Sequence, residues 1–298
     1  MNPVEDRIRE VLADAGAQGW VHAKQLGCAT VREIGLGADE LVVAASVYKL
    51  PLLVAMCRDF DSGALDPRAA VRIDPTSSTP GPTGLSTFLD PVTLSWRDLA
   101  ASMIGVSDNA AADVILDAVG LEAIASTLAD LGLSRTRVVG GTADAHASLV
   151  HDLGVTTADE AFARLTDNDE VNAVSAYAPA LASATTPREM TRLLELVWAD
   201  AVASPSQCAF IRRLLGNQAW QHRIRAGFPY RGVRVAGKTG TIGAVRNEVS
   251  VVEFDGEAPV AVAVFTLAAR ADAALPKVDA AIAECARLAV TDLRSGRL

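Results

Sequence analysis

The chain has 298 residues, half of them apolar, and a formal net charge of −9 at pH 7. A chain of this length and composition can bury a large hydrophobic core, which argues against intrinsic disorder. Nucleic acids and anionic membranes are polyanions that favour clustered Lys and Arg, so the acidic balance argues against both as partners. We predict a single globular domain over residues 1–298.

The N-terminal segment and the cysteines both bear on the cellular compartment. Residues 1–10 include three acidic side chains and no continuous apolar stretch, unlike a signal peptide. The apolar run 259–269 is too short to span a bilayer. The cysteines are scattered and form no close pair, which fits a reducing compartment. They are Cys28, Cys57, Cys208 and Cys285. We expect a cytoplasmic protein.

Hydrophobic periodicity and turn residues predict helices and five strands. Helices are expected over 3–15, 46–60, 96–105, 109–119, 121–131 and 276–293, with two more beginning at Pro187 and Pro205. Strands are expected near 20–24, 30–34, 232–238, 247–254 and 259–267. The pattern indicates an α+β fold with a five-stranded antiparallel sheet. An α/β lobe would comprise about 1–45 and 217–298, and a helical lobe about 46–216.

Three short motifs carry the candidate chemistry: Ser46-Val-Tyr-Lys49, Ser107-Asp108-Asn109 and Lys238-Thr239-Gly240. A serine hydroxyl is a weak nucleophile that needs a base within hydrogen-bond reach. Three residues along a helix make nearly one turn, so Ser46 and Lys49 should share a face. Protein surroundings and a second cation, Lys238, would disfavour the charged form of Lys49 and make it available as a base.

Together, the ordered motifs and their flanks resemble class A β-lactamases and penicillin-binding proteins. The resemblance covers about residues 40–130 and 183–268. It implies a β-lactamase-like α/β sandwich with an added all-helical lobe. It also implies a serine hydrolase that forms an acyl-enzyme and cleaves a β-lactam or a related cyclic amide, with no cofactor.

The same resemblance assigns roles to individual residues. Ser46 would be the nucleophile and Lys49 its base, and Ser107 would relay a proton to the leaving group. Lys238 and Thr239 would bind the carboxylate side of a small-molecule substrate, while Asn109 would hold its amide. The residues predicted to contact substrate are Asn109, Thr239, Gly240, Thr241 and Arg246.

Two of these predictions rest on position along the chain. The backbone N–H of Thr241 is placed to complete an oxyanion hole with that of Ser46. Arg246, a few residues after Lys-Thr-Gly and just before a predicted strand, could pair with a substrate carboxylate. A plain surface salt bridge is the alternative for Arg246.

The segment between Leu133 and Thr186 departs from the class A pattern. Class A enzymes carry Glu-x-x-x-Asn there, and its glutamate activates the water that releases the acyl group. No such motif occurs in this segment, and Glu170-Val-Asn172 has the wrong spacing. Glu170 is the candidate base, with an acidic exposed turn as the alternative and Glu160 and Asp144 as further acids. We therefore expect slow release of a penicillin adduct.

Two groups of residues that include histidines are considered as further candidate sites. His146, His151 and Asp152 hint at a metal site but lack a third well-spaced ligand, so no metal is predicted. Trp220 and His222 are interpreted as packing or surface residues.

Three functional classes remain open. The first is a β-lactamase. The second is an intracellular serine amidase, esterase or penicillin-binding-type enzyme with slow β-lactam turnover. The third is a non-catalytic binding protein on the same fold. The intact Ser46, Lys49, Ser107 and Lys238 set argues against the third, because binding alone does not require a nucleophile beside a base.

Overall fold

The computed structural model describes residues 3–28, 30–166 and 174–294. Its central feature is an antiparallel sheet with strand order β2-β1-β9-β8-β7, so strands from both ends of the chain lie side by side and β7 is an edge strand. The strands are β1 (Ala17–Gln25), β2 (Glu33–Leu36), β3 (Val42–Val43), β4 (Ala70–Ile73), β5 (Val92–Ser95), β6 (Ala184–Thr185), β7 (Val233–Ile242), β8 (Val245–Phe254) and β9 (Val260–Ala268). β3 pairs with β6 and β4 with β5 outside the main sheet.

Helices cover both faces of the sheet. They are α1 (Pro3–Asp14), α2 (Lys49–Ser62), α3 (Trp96–Gly105), α4 (Asn109–Val119), α5 (Leu121–Asp130), α6 (Thr142–Leu153), α7 (Ala158–Thr166), α8 (Pro187–Trp198), α9 (Pro205–Gly216) and α10 (Pro276–Arg294). α1 and α10 pack with Val262 and Val264 on one face, whereas α2, α8 and α9 pack with Val249 and Phe265 on the other. Because the sheet is covered on both faces, β9 is apolar almost throughout, and β8 is buried over most of its length even at its polar residues Arg246, Asn247 and Glu248.

The predicted α+β fold with a five-stranded antiparallel sheet is confirmed. Several helix starts also follow the sequence signals. Thr186 and Ser204 each accept a hydrogen bond from the backbone three residues on, with Pro at the first helical position. Ser95 and Asp98 cap α3 in the same way.

Several predicted boundaries differ from the structure, including the strand predicted near 30–34, which runs from Glu33 to Leu36. The predicted strand near 232–238 extends to Ile242, because the chain reverses only at a tight turn that has Gly243 at φ +47°. The Lys-Thr-Gly motif therefore lies inside β7, and Arg246 lies within β8 rather than before it. The helix predicted from residue 46 begins as a 3₁₀ turn, Ala45–Tyr48, and becomes α-helical at Lys49.

The segment 133–186 contains two helices that sequence patterns did not predict. α6 begins where the carboxylate of Asp113 accepts hydrogen bonds from the N–H groups of Thr142 and Ala143, at 2.7 and 2.9 Å. Glu160 caps the start of α7 by accepting from the N–H of Thr156 at 2.9 Å. Both caps satisfy N–H groups that would otherwise have no partner. Glu170 lies outside the described residues.

None of the helices in the described ranges is long and apolar enough to cross a membrane. The cytoplasmic location stays a prediction, and so does the division of the chain into two lobes.

Candidate active site

The proposed nucleophile lies in a strained turn. Ser46 is the second residue of the 3₁₀ turn, and in a 3₁₀ helix residues three apart eclipse each other, so Lys49 lies on the same side. The preceding Ala45 has φ +44°, a conformation that costs free energy for any residue other than glycine. Asn247 fixes this backbone, because its amide donates to the carbonyls of Val43 and Ala44 at 2.9 and 3.2 Å.

Strand β7 passes directly beside this turn. A Cβ atom at Gly240 would lie 2.7 Å from the carbonyl oxygen of Ala44 and 3.2 Å from the backbone nitrogen of Val47, so only glycine permits the approach. The N–H of Thr239 points away from β8, because it donates to the side chain of Gln218. Alternation along an antiparallel strand gives the N–H of Thr241 the same direction. This geometry suits an oxyanion hole formed with the N–H of Ser46.

Lys49, the candidate base, is buried. Its side chain has no exposed surface, and Nζ donates to Ser107 O at 2.7 Å and to Asn109 Oδ1 at 2.9 Å. Burial lowers the pKa of Lys49 to about 7, against the opposing attraction of Asp113 and Asp108. Burial, and not the second lysine, is therefore the cause of the shift. Much of the amine is unprotonated at neutral pH.

Ser107 lies between two buried lysines. It has φ +62° at the junction of α3 and α4, and its hydroxyl accepts from Lys238 Nζ at 2.9 Å. Lys49 Nζ lies 3.5 Å from the same oxygen. The pKa of Lys238 is well below its usual value because of burial first and the charge of Lys49 second. The hydroxyl is thus connected to two proton donors or acceptors.

Ser46 itself has no such partner. No hydrogen bond to its hydroxyl occurs among the described residues, and Lys49 Nζ instead contacts Ser107 and Asn109. Catalytic hydrogen bonds often form only with substrate bound. The free hydroxyl is therefore compatible with a nucleophile.

Asp108, the central residue of the Ser-Asp-Asn motif, serves the fold. Its carboxylate is buried and accepts hydrogen bonds from Ser102 Oγ at 2.6 Å, the N–H of Leu85 at 2.8 Å and the N–H of Ala111 at 3.1 Å. These bonds hold the loop around Leu85 to the start of α4. The flanking Ser107 and Asn109 are thereby fixed in position.

The part of the site where a substrate carboxylate is expected contains a residue that sequence analysis missed. Arg223 is buried and donates to Thr241 Oγ1 at 2.8 Å, to two backbone carbonyls and to Asp279 at 2.6 Å. A lone arginine outside any motif offers no sequence signal. Arg246, by contrast, donates its guanidinium N–H groups to the backbone carbonyls of Gly243, Val245 and Asp272. The Arg223 side chain is thus hydrogen bonded to residues of β7, whereas the Arg246 guanidinium donates to carbonyls outside β7.

Thr239 is also already engaged. Its hydroxyl and N–H both donate to Gln218 Oε1, at 3.0 and 2.7 Å. A substrate carboxylate at this position would have to compete with the Gln218 amide.

Helix α6 forms the wall opposite β7. Thr142 Oγ1 lies 3.1 Å from Tyr48 Oη and donates to Asn109 Oδ1 at 3.5 Å. A threonine therefore stands beside the amide that holds Lys49. Four acidic side chains occur among the described residues that line the cavity: Asp144, Asp159, Asp272 and Asp279.

Two of these acids are already held by hydrogen bonds or an ion pair. Asp144 accepts from the N–H of Gly141 at 2.8 Å, and Asp279 is paired with Arg223. No glutamate occurs among the described lining residues. Glu160, which caps α7, is outside this set.

The histidines fall in different places. His146 lines the cavity one turn after Thr142, and His222 lines it beside Arg223. His151 is exposed, and the nearby Asp152 accepts a hydrogen bond from the N–H of Ser175. Within the described ranges, no group of three His, Cys, Asp or Glu side chains is placed to hold a metal ion.

One cavity of about 1130 Å³ connects these features. Lys49 and Lys238 lie buried beneath its surface. The predicted site residues that line it are Ser46, Ser107, Asn109, Thr239, Thr241 and Arg246. Trp220, which was interpreted as a packing residue, also lines it and donates its indole N–H to Val106 O at 3.2 Å.

Comparison with known sequences gives a consistent result. Residues 3–293 match the profile of the "Beta-lactamase enzyme family". The chain is 27% identical to the β-lactamase regulatory protein BlaB of Streptomyces cacaoi, over 94% of each chain. It is 33% identical to the carbapenem-hydrolyzing β-lactamase KPC of Klebsiella oxytoca, over 66% of this chain and 58% of the relative.

Comparison with solved structures supports the same fold. A β-lactamase from Sphaerobacter thermophilus superposes with a TM-score of 0.76 at 22% identity, over 97% of each chain. The structure of PBP-A superposes with a TM-score of 0.78 at 18% identity, over 99% of this chain and 97% of that one.

Proposed function

The chain belongs to the β-lactamase enzyme family, and we propose that it is a serine hydrolase that forms an acyl-enzyme at Ser46. One observation carries the proposal: two buried lysines meet at the hydroxyl of Ser107, with Nζ atoms 2.9 and 3.5 Å from Oγ. Desolvating two neighbouring ammonium groups is costly, and binding alone does not require it. Proton transfer explains this burial, because burial brings the pKa of a lysine close to neutral pH, where the amine can both accept and donate a proton.

Acylation would involve three proton transfers. The neutral amine of Lys49 takes the proton of Ser46 Oγ as this oxygen attacks the substrate carbonyl carbon. The carbonyl oxygen becomes an oxyanion and is held by the N–H groups of Ser46 and Thr241. When the bond from the carbonyl carbon to nitrogen breaks, Ser107 donates its proton to the leaving nitrogen and is reprotonated by Lys238.

The proposed substrate is a β-lactam or a related amide that carries a carboxylate. Arg223 and the hydroxyl of Thr241 both line the cavity beside β7 and offer a cation and a hydrogen-bonding group, which suits a carboxylate next to the scissile bond. The relative from Klebsiella oxytoca is described as carbapenem-hydrolyzing, which supports this class.

A second candidate is an amidase, esterase or penicillin-binding-type enzyme that releases β-lactam products slowly. The observation that favours it is Thr142 beside Asn109, where no glutamate occurs among the described lining residues. Acylation and release would then differ greatly in rate.

A third candidate, a binding protein without turnover, draws on the relative described as a β-lactamase regulatory protein. Covalent chemistry separates it from the other two. A non-catalytic receptor does not need a serine nucleophile beside a lysine whose pKa is lowered.

Labelling with a fluorescent penicillin and with a fluorophosphonate tests the proposal. We expect one label on the wild-type protein and none on Ser46→Ala. Ser148→Ala is the matched control, because Ser148 lines the same cavity on α6, and it should be labelled normally. Absence of wild-type labelling by both probes, or persistent labelling of Ser46→Ala, would overturn the proposed function.

A further inference from the structure

Helix α6 presents two side chains to the cavity at a spacing of four residues. Thr142 and His146 lie one above the other on one face, because residues four apart on an α-helix do so. Thr142 contacts the Asn109 amide that also holds Lys49. His146 therefore stands one helical turn from the catalytic residues, on the wall that faces β7.

The imidazole of His146 is held without being hydrogen bonded. Phe162 of α7 meets it edge-on, with ring centroids 5.4 Å apart and an angle of 87° between the planes. Its Nδ1 atom is buried and has no hydrogen-bond partner among the described residues. An unsatisfied buried polar atom destabilises the folded state, so its retention calls for an explanation.

The protonation state of His146 suits a base. Burial is the main cause that lowers its pKa, and the positive charge of Lys49 acts in the same direction. The carboxylates of Asp113 and Asp159 oppose the shift without cancelling it. The ring is consequently neutral at pH 7, and one of its two nitrogens is free to accept a proton.

Two acids that line the cavity are already engaged. Asp144 caps its own helix, and Asp279 is paired with Arg223. His222 lies 3.8 Å from Asp279. Among the described lining residues, His146 is the basic group on the α6 wall.

We propose that His146 is the general base for the water that releases the acyl group from Ser46. This inference rests on the proposed function and names the residue that completes it. The unprotonated ring nitrogen takes a proton from water while the water oxygen bonds to the acyl carbon. The bond between that carbon and Ser46 Oγ then breaks, and the serine oxygen recovers the proton from His146 through Lys49. The products are a carboxylic acid and free enzyme, so the step needs no other reactant.

Release of a penicillin adduct tests this role. Wild type, His146→Ala and His146→Gln are acylated with benzylpenicillin, excess ligand is removed, and intact-protein mass spectrometry follows loss of the adduct. We expect acylation to be little changed and release to slow by about 10²-fold or more, the usual contribution of a positioned base. His151→Ala is the matched control, since His151 is exposed on the same helix and outside the set of lining residues.

Two readouts separate a base from a structural residue. Added imidazole should restore release in His146→Ala but leave Ser46→Ala inert. The wild-type release rate should fall as the pH drops through the pKa of His146, which burial holds below the usual histidine value, and this decline should be absent from His146→Ala.

The possible results distinguish a wrong role for His146 from a wrong proposed function. Equal release from wild type, His146→Ala and His151→Ala would overturn the role of His146 and leave the acyl-enzyme intact. Absence of both adduct and hydrolysed penicillin in the wild type would overturn the proposed function, and the role of His146 with it.

Discussion

The two walls of the cavity differ in how their chemistry is built. On the β7 side, Ser107 Oγ is hydrogen bonded to Lys238, and Lys49 lies 3.5 Å away, beneath the nucleophile turn. On the α6 side, Thr142 and His146 face the cavity, and neither belongs to a motif shared with class A enzymes. In the proposed mechanism, the groups that form the acyl-enzyme and the groups that release it are thus positioned by separate elements. One set can therefore be complete while the other departs from the family.

The largest expected effect concerns the base on the acylation side. Lys49→Ala should slow acylation by about 10²- to 10⁴-fold, because it removes the positioned base. Lys49→Arg should be nearly as slow, since guanidinium stays protonated. Stopped-flow labelling with fluorescent penicillin measures both rates.

Lys24→Ala is a suitable control for the loss of a lysine. Lys24 forms an ion pair with Glu195 at 2.9 Å, in a different part of the molecule. Near-normal acylation by Lys49→Arg would show that another group removes the serine proton.

A substitution on the α6 side should have an effect of the opposite sign. Thr142→Glu places a carboxylate beside Asn109, and release of the penicillin adduct should accelerate by about 10²-fold as a second base is added. Ala143→Glu adds the same charge at the exposed next residue and should leave release unchanged. Equal acceleration by both variants would show a general effect of charge rather than a positioned base.

Lowering the pH should slow acylation less than Lys49→Ala does, and the effect should begin at a defined pH. Lys49 acts as a base only when unprotonated, so acylation should fall about tenfold per pH unit below its pKa and level off above it. Since that pKa is about 7, the inflection should lie near neutral pH. Initial rates of labelling between pH 5.5 and 9 measure it, and a profile without an inflection near 7 would contradict the assignment.

Both the fold and the acylation side could be predicted from sequence because their signals are local. Apolar strands, Thr186 and Ser204 as helix caps and the three motifs all occupy short stretches of chain. Helix α6 lacks such a signal, because Gly141 at its N-cap has no capping side chain and Asp113, far away in sequence, supplies the partner. The extent of β7 was also missed, since Gly240 suggests a turn although it is needed for close packing against Ala44.

The smallest expected effect is on stability. Asp108→Asn replaces a carboxylate oxygen by an amide nitrogen that cannot accept hydrogen bonds from Leu85 and Ser102. We expect the free energy of unfolding to fall by about 1–3 kcal/mol, the usual cost of leaving buried polar groups unpaired. Urea denaturation measures it, with Asp117→Asn, on the exposed side of α4, as the control. Equal stability of both variants would contradict the structural role of Asp108.

Time-resolved intact-protein mass spectrometry of the wild type with benzylpenicillin tests the central contrast most directly. It measures formation and release of the adduct in one reaction. We propose that Lys49 acts in the first step and that residues of α6 act in the second. We expect rapid gain of one ring-opened penicillin on Ser46, followed by slower release, so that the acylated form predominates at steady state. Sustained hydrolysis of many penicillin molecules with the protein remaining unmodified would contradict it.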